Sequence, residues 1–217
     1  MADNNEANPT FRLSDRFDYA FYFASKLHRD QKRKNLPVPF LCHLLSVSAL
    51  VIENISFITD DPEACEDFVM TAILHDTVED QGGSATYEKL KAEFGTKIAD
   101  YVLMLSDSIP VNGIKPPKAE RNEAYKRKML SEDTPLGIVL VSCCDKIHNL
   151  RSMQADALVL GSDMNGIWKA YTASPADTVA NYEELLNIYK KRLGAQRVIT
   201  LYEQALQAIK ALMPKEG

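Results

Sequence analysis

The segment 73–80, ILHDTVED, places four ionisable side chains within a short stretch. If it forms one helix, Glu79 lies on nearly the same face as His75, and Asp80 on nearly the same face as Asp76, because each turn takes about 3.6 residues. The apolar residues just before them predict a buried helix, in which an unpaired carboxylate is costly. A divalent metal would balance the charge, and imidazole with carboxylate suits manganese, iron or zinc better than calcium. An acidic, solvated helix end is the alternative.

Other residues of the same chemical types lie in apolar surroundings. The chain has four histidines, namely His28, His43, His75 and His148. His43 stands among leucines and a cysteine, where a hydrogen-bonded core histidine is the alternative to a metal ligand. Asp145 follows the most apolar run of the chain, where a carboxylate is hard to accommodate without a cation. Together, His43, His75, Asp76 and Asp145 would offer a metal two imidazoles and two carboxylates from three helices, with positions left for water and substrate.

Composition narrows the class of protein. The 217 residues, 46% of them hydrophobic, suffice for one well-buried core. The net charge of -5 argues against a nucleic-acid or membrane-surface protein, whose binding faces are usually basic. Four cysteines without Cys-x-x-Cys spacing predict buried thiols in a reducing compartment rather than disulfides. Because no apolar segment reaches roughly 18 residues, we expect a soluble cytoplasmic protein that binds neither nucleic acid nor membrane.

Hydrophobic periodicity predicts one helix after another. The predicted helices cover about residues 17–28, 40–55, 62 to beyond 75 with a stop at Gly82 and Gly83, 86–94, 96–105, 118–130, 135 through 151, 175–193 and 195–212. Ser14 is available as an N-cap, and Pro62 after Asp61 as a first-turn proline. Prolines predict loops at 29–39 and 106–117, the second being the best candidate for a mobile loop. A less regular stretch contains Trp168.

The fold class follows from these elements. The run from Val139 to Val141 is β-branched and apolar, so a buried strand is its alternative. We favour a helix because the pattern continues without a breaker through Arg151. No strand of convincing length, internal repeat or low-complexity segment is evident, and the predicted fold is all-α. We expect residues 1–13 to be disordered and residues 14–213 to form a single domain.

The sequence resembles the hydrolase domain of RelA/SpoT-type alarmone enzymes, a branch of the HD phosphohydrolase superfamily, and most of all the stand-alone small alarmone hydrolases. Segment 73–80 is similar to the family's central LLHDTVED almost residue for residue. Segments 145–151 (DKIHNLR), 28–34 (HRDQKRK), 39–43 (PFLCH) and 187–194 (NIYKKRLG) resemble further family segments. The resemblance covers about residues 17–194, and the chain ends before a synthetase domain could fit.

The resemblance implies an HD-type helical domain with a metal site between its central helices. The implied ligands of manganese(II) are His43, His75, Asp76 and Asp145. Glu79 and Asp80 are the implied catalytic pair, Arg33 and Lys34 are implied to lie over the nucleobase, and Asn149 is implied to contact the ribose or phosphate side of the substrate. The implied reaction removes the 3′-pyrophosphate from guanosine tetra- or pentaphosphate, yielding pyrophosphate and GDP or GTP. A small nucleotide is therefore the expected substrate, and the sequence indicates no protein partner.

The chemistry of the residues agrees with this reaction. A bound metal lowers the pKa of water, and Glu79 and Asp80 are placed to orient that water or take its proton. The phosphates of such a substrate need cations nearby. For each basic residue, the alternative to phosphate binding is a solvated charge on the surface. The basic residues nearest the motifs are Lys32, Arg33, Lys34, Lys146 and Arg151.

Three departures from the family pattern surround the expected base pocket. Asp30 stands where the family has glycine, Leu44 stands where it has proline, and the turn between Lys34 and Pro39 is one residue longer. The adenine alarmone ppApp is therefore an alternative to ppGpp, although we expect guanine to be modestly favoured. Dephosphorylation of NADPH, a general HD-type nucleotidase and a non-catalytic nucleotide-sensing module are the remaining alternatives. The Glu79 and Asp80 pair argues against the last two.

Overall fold

The computed structural model describes residues 11–34, 36–108, 115–160, 167–168 and 173–213. Within these ranges the chain is helical and contains no strand, and one isolated antiparallel bridge joins Lys32 to Pro39. The predicted all-α fold is confirmed. No helix in the described part of the chain is both long and apolar enough to span a membrane.

The helices follow the predicted order closely. They are α1 (Asp15–Leu27), α2 (Leu41–Ile52), α3 (Pro62–Leu74), α4 (Thr77–Asp80), α5 (Ser84–Leu105), α6 (Lys118–Leu130), α7 (Leu136–Leu160), α8 (Pro175–Leu193) and α9 (Arg197–Ala211). A short 3₁₀ turn, Ile55–Phe57, follows α2. The predicted stop inside α5 is confirmed, because Gly95 has a φ of 84° and breaks the helical geometry there.

Helix α7 is the centre of the core and packs against α2, α3, α8 and α9. Its residues from Gly137 to Asp145 are buried without interruption. A helix surrounded on every side has no solvated face, which explains why this run is apolar at successive positions. The alternative of a buried strand at Val139 to Val141 is therefore wrong.

A buried carboxylate ties the first, third and fifth helices together. Asp67 on α3 is 1% exposed, and its oxygens lie 2.6 Å from a guanidinium nitrogen of Arg16 and 2.8 Å from the ammonium of Lys97. The neighbouring Glu66 accepts a hydrogen bond of 2.6 Å from the backbone N–H of Ser14. Ser14 caps α1 as predicted, since its side chain accepts from the N–H of Arg16.

The central helix is not continuous through Asp80, contrary to the prediction. Helix α3 ends at Leu74, and the separate turn α4 begins at Thr77. The Nδ1 atom of His75 lies 2.8 Å from the carbonyl oxygen of Ala72, and the hydroxyl of Thr77 donates to the carbonyl oxygen of Leu74 at 2.7 Å. These side chains take carbonyls that the next helical turn would use, so the backbone ladder is interrupted here.

Some predictions fall wholly or mainly outside the described residues. They are the disordered start at 1–10, the mobile character of 109–114 and most of the irregular stretch around Trp168. Phe11, the first described residue, packs partly buried against the core. The second helix ends at Ile52 rather than near residue 55. Just after this end, the side-chain amide of Asn54 donates to the carbonyl oxygen of Leu50 at 2.7 Å.

The contact between α3 and α7 generates a first prediction. A Cβ atom added at Gly137 would overlap ring atoms of Phe68, so the two helices would have to separate. We expect Gly137→Ala to lower the free energy of unfolding by about 1–3 kcal/mol, the usual cost of overpacking. Urea denaturation measures the change. Phe68→Leu removes ring atoms, so the double variant should lose less stability than the two single variants together; an alanine variant as stable as the parent protein would contradict this contact.

Candidate functional site

Two imidazoles meet where α2 and the end of α3 pack against α7. The Nε2 atoms of His43 and His75 lie 3.2 Å apart, and both side chains are almost fully buried. His43 lies near the start of α2, and His75 directly follows α3 as its C-cap. The sequence therefore brings two nitrogen donors from separate helices to one point.

Two carboxylates complete the cluster. The Oδ2 atom of Asp76 lies 3.1 Å from the Nε2 of His75 and 3.4 Å from that of His43. The Oδ1 atom of Asp145, on α7, lies 3.2 Å from the Nε2 of His43 and 3.9 Å from that of His75. His43, His75 and Asp145 each offer one ligand atom within 4.8 Å of the others, so these three residues could hold one metal ion, and Asp76 adds an oxygen beside both imidazole nitrogens.

The outer nitrogens of both imidazoles are also occupied. The Nδ1 of His75 faces the carbonyl oxygen of Ala72, to which it must donate, so Nε2 is the nitrogen that faces the cluster and would bind a metal ion. The Nδ1 of His43 lies 2.7 Å from the Nδ1 of His148. Burial, His43 and Arg33 lower the pKa of His148 to about 3, so His148 is neutral and accepts the proton of His43. A backbone carbonyl on the outer nitrogen, as for His75, is a usual support of a metal-binding histidine.

The charges within the cluster compensate one another. Burial alone would raise the pKa of Asp145, but Lys146 and the two imidazoles hold it well below its usual range. Burial likewise would lower the pKa of His75, yet Asp76 and Asp145 raise it to about 9. Both shifts show that the carboxylates strongly favour positive charge at the position where the imidazole nitrogens converge.

Glu79 and Asp80 lie close to the cluster but point to different partners. Glu79 accepts from the ammonium of Lys115 at 3.0 Å and from the backbone N–H of Asp107 at 3.1 Å. Burial, with the nearby charge of Asp107, raises the pKa of Glu79 above its ordinary value. Asp80 is exposed and accepts from the side-chain amide of Gln31 at 2.7 Å.

A cavity of about 880 Å³ opens over the cluster, a volume typical of small-molecule sites. Of the predicted site residues, it is lined by Arg33, Lys34, His43, Asp76, Glu79, Asp80, Asp145, Lys146 and Asn149. Helices α6 and α8 supply the opposite wall with Lys118, Asn122, Tyr125, Lys126, Asp177, Thr178, Asn181 and Glu184. Acidic residues outnumber basic ones in this lining eight to five, so an anionic ligand would need additional positive charge.

The basic residues predicted to bind substrate divide into two groups. A guanidinium nitrogen of Arg33 donates to the side-chain oxygen of Asn149 at 2.8 Å, and the amide nitrogen of Asn149 donates to Asp145 at 2.6 Å. Lys146 lies 2.5 Å from Asp145 and 5.2 Å from the ring centre of Tyr125. Arg151 and Lys32, by contrast, are exposed and do not line the cavity.

Sequence reasoning left several residues of the site without a role. His148 was visible as one of four histidines three residues after Asp145, but only the structure shows that it supports His43. Gln31 lies in a recognisable segment without any assigned contact. Lys115 and Asp107 border a proline-rich loop, and no local pattern indicates that they reach Glu79.

Comparison with known proteins identifies similar chains. A family model described as an HD domain matches residues 20–195. A guanosine-3′,5′-bis(diphosphate) 3′-pyrophosphohydrolase of Aquifex aeolicus is 29% identical over 134 residues, which cover 62% of this chain and 17% of that one. An enzyme of the same name from Danio rerio is 31% identical over 132 residues, covering 60% of this chain and 65% of the other. The chain thus spans about a sixth of the Aquifex protein and just under two thirds of the fish protein.

A solved structure shares the fold. It was reported as a metazoan ortholog of SpoT that hydrolyzes ppGpp and plays a role in starvation responses. The two chains superpose with a TM-score of 0.67 at 21% sequence identity, over 93% of this chain and 99% of that one. This similarity confirms the predicted HD-type helical arrangement.

The donor cluster generates a prediction about metal. A divalent metal ion at about a hundred times its Kd should stabilise the native state by about 2.7 kcal/mol, so a chelator should lower the Tm by roughly 5–10 °C. Asp145→Ala should lose the bound metal, measured by elemental analysis after gel filtration. Glu79→Gln is the matched control and should keep its metal, because Lys115 and the Asp107 N–H hold the Glu79 carboxylate. Full metal content in Asp145→Ala would contradict the ligand set.

Proposed function

The chain belongs to the HD domain family, and we propose that it is a metal-dependent 3′-pyrophosphohydrolase of purine alarmones. It would convert ppGpp or pppGpp to GDP or GTP and pyrophosphate. The observation that carries this proposal is the convergence of His43, His75 and Asp145, with Asp76 beside both imidazoles, next to a nucleotide-sized cavity. Enzymes with this activity among the similar proteins, one from a bacterium and one from a fish, support the same conclusion.

We propose that His43, His75, Asp76 and Asp145 hold the metal and that the metal is manganese(II). Mixed imidazole and carboxylate donors suit manganese among the divalent transition ions. When bound, the ion would act as a Lewis acid and make a water molecule nucleophilic near neutral pH. It would also supply the positive charge that the predominantly acidic cavity lining lacks for a polyphosphorylated ligand.

The catalytic work of the chain itself is assigned to Glu79 and Asp80. Glu79 is partly buried and its pKa is raised, so its carboxylate is a stronger base toward the proton of a water molecule than an exposed glutamate would be. Asp80 is exposed to the cavity and can orient the attacking water by accepting a hydrogen bond. Lys146 would offset phosphate charge beside the metal, and Asn149 would contact the ribose or phosphate side.

The nucleobase would lie beside Arg33 and Lys34. The guanidinium carbon of Arg33 stands 5.6 Å from the ring centre of Phe40, and both residues line the cavity. A purine can stack on the opposite face of that guanidinium. Guanine is proposed as the better base. Cytoplasmic location and the absence of nucleic-acid and membrane partners stay predictions from composition.

The substrate proposal is tested by measuring kcat/KM with manganese for ppGpp, pppGpp, ppApp, NADPH and GDP. We expect pyrophosphate release from the guanosine alarmones, with ppGpp modestly ahead of ppApp. No pyrophosphate from either base would overturn the proposed function, whereas a large preference for ppApp would overturn only the choice of base. Glu79→Gln, which removes the acid-base group, should bind metal but lose about a hundredfold or more in kcat.

The base-binding proposal predicts a separation of KM from metal binding. Arg33→Lys replaces a planar guanidinium by a point charge, so KM for ppGpp should rise roughly tenfold if stacking contributes about 1–2 kcal/mol. Metal content should not change. Arg29→Lys is the matched control, because Arg29 is exposed in the same segment and does not line the cavity. Equal KM values for the parent protein, Arg33→Lys and Arg29→Lys would show that the base does not bind beside Arg33.

A further inference from the structure

A chain of hydrogen bonds runs from a buried histidine to the catalytic pair. His28 is 1% exposed at the end of α1, and its Nδ1 lies 2.6 Å from the side-chain oxygen of Gln31. The amide nitrogen of Gln31 donates to Oδ2 of Asp80 at 2.7 Å. The amide nitrogen of Gln81, the residue after α4, donates to the same Gln31 oxygen and lies 3.4 Å from the His28 Nδ1.

The orientation of the Gln31 amide is determined by its neighbours. An ionised Asp80 only accepts hydrogen bonds, so the NH₂ group of Gln31 must face it. The oxygen of Gln31 then faces Gln81 and His28, and His28 must carry its proton on Nδ1. Each donor in the chain meets an acceptor only in this arrangement.

The ring of His28, where this series of hydrogen bonds begins, is held in place by packing. Its ring stacks on Phe40 with a centroid distance of 5.2 Å and an interplanar angle of 18°. Its Nε2 atom is buried without a hydrogen-bond partner among the described residues, so Gln31 receives the principal hydrogen bond of this imidazole. Burial lowers the pKa of His28, which is consistent with a neutral ring that donates through Nδ1.

The position of the Asp80 carboxylate depends on this series of hydrogen bonds more than that of Glu79 does. Glu79 has both a cation and a backbone N–H as partners. Asp80 is exposed, and Gln31 provides its one side-chain hydrogen bond among the described residues. Since packing does not fix an exposed carboxylate, its direction in the cavity depends on that bond.

We propose that Gln31 is a positioning residue, which holds the Asp80 carboxylate in its reactive direction and is itself fixed by His28. This inference rests on the proposed function, in which Asp80 is one of the catalytic pair. It gives a role to a glutamine outside the cavity lining and to a histidine outside the metal cluster. It also explains why the short loop after α1 must return close to α4.

The test is Gln31→Met, which keeps the length of the side chain and removes both polar atoms. A catalytic group displaced by about 1 Å can cost a hundredfold in rate, so we expect kcat to fall about ten- to a hundredfold, with KM within about twofold. Metal content should stay at the parent level. The matched control is Arg29→Lys, an exposed neighbour in the same loop that does not line the cavity and should retain the parent kcat. A parent-like kcat in Gln31→Met overturns the proposal.

A double-variant cycle separates positioning from general damage. If Gln31 acts only through Asp80, adding Gln31→Met to Asp80→Asn should cost no further activity. If the two losses multiply, Gln31 acts on something else and the proposal is overturned. Full turnover in Asp80→Asn alone also overturns it, because Asp80 would then not need positioning.

A spectroscopic readout keeps this inference distinct from the proposed function. The side-chain amide resonance of Gln31, assigned by its loss in Gln31→Met, should shift in Asp80→Asn and not in Arg29→Lys. An unmoved resonance in Asp80→Asn overturns the contact whatever the substrate. A parent protein that releases no pyrophosphate from any alarmone overturns the proposed function, while the resonance still decides whether Gln31 holds Asp80.

Discussion

Two carboxylates packed against two imidazoles, largely out of water, constrain the rest of this molecule. Neither Asp76 nor Asp145 could stay ionised there without positive charge close by, because removing one partner of a buried pair typically costs about 3–5 kcal/mol. The residues come from α2, the end of α3 and α7, so these three helices must meet at one point. The apolar length of α7 makes that possible, since it is held on all sides and presents Asp145 at a fixed position.

The interruption of the helix after Leu74 keeps two further carboxylates away from this cluster. In an unbroken helix, Glu79 and Asp80 would stack over His75 and Asp76 and add negative charge to the cluster. The side chains of His75 and Thr77 instead bond to carbonyls of α3 and turn the chain. Glu79 then reaches Lys115 and Asp80 reaches Gln31, which separates the proposed catalytic carboxylates from the proposed ligands.

The sequence alone was enough to predict the helices and the kinds of side chain in the donor cluster, because periodicity, caps and buried ionisable residues are local signals. Ser14, Pro62 and Gly95 marked helix boundaries through their own backbone chemistry. The break at His75 was not predictable in this way, since competition between side chain and backbone for one carbonyl has no periodic signature. The pairing of His43 with His148, 105 residues apart, and the exposure of Arg151 depend on tertiary packing.

The amide of Asn149 joins the two halves of the cavity. Its nitrogen donates to the Asp145 oxygen nearest His43, and its oxygen accepts from Arg33. A nucleotide that draws Arg33 toward its base therefore changes the hydrogen bonding of a proposed metal ligand. Thermodynamic coupling of this kind is reciprocal: by whatever factor the nucleotide alters the affinity for the ion, the ion alters the affinity for the nucleotide. In the proposed enzyme, ion and nucleotide would therefore act as mutual effectors across a single side chain.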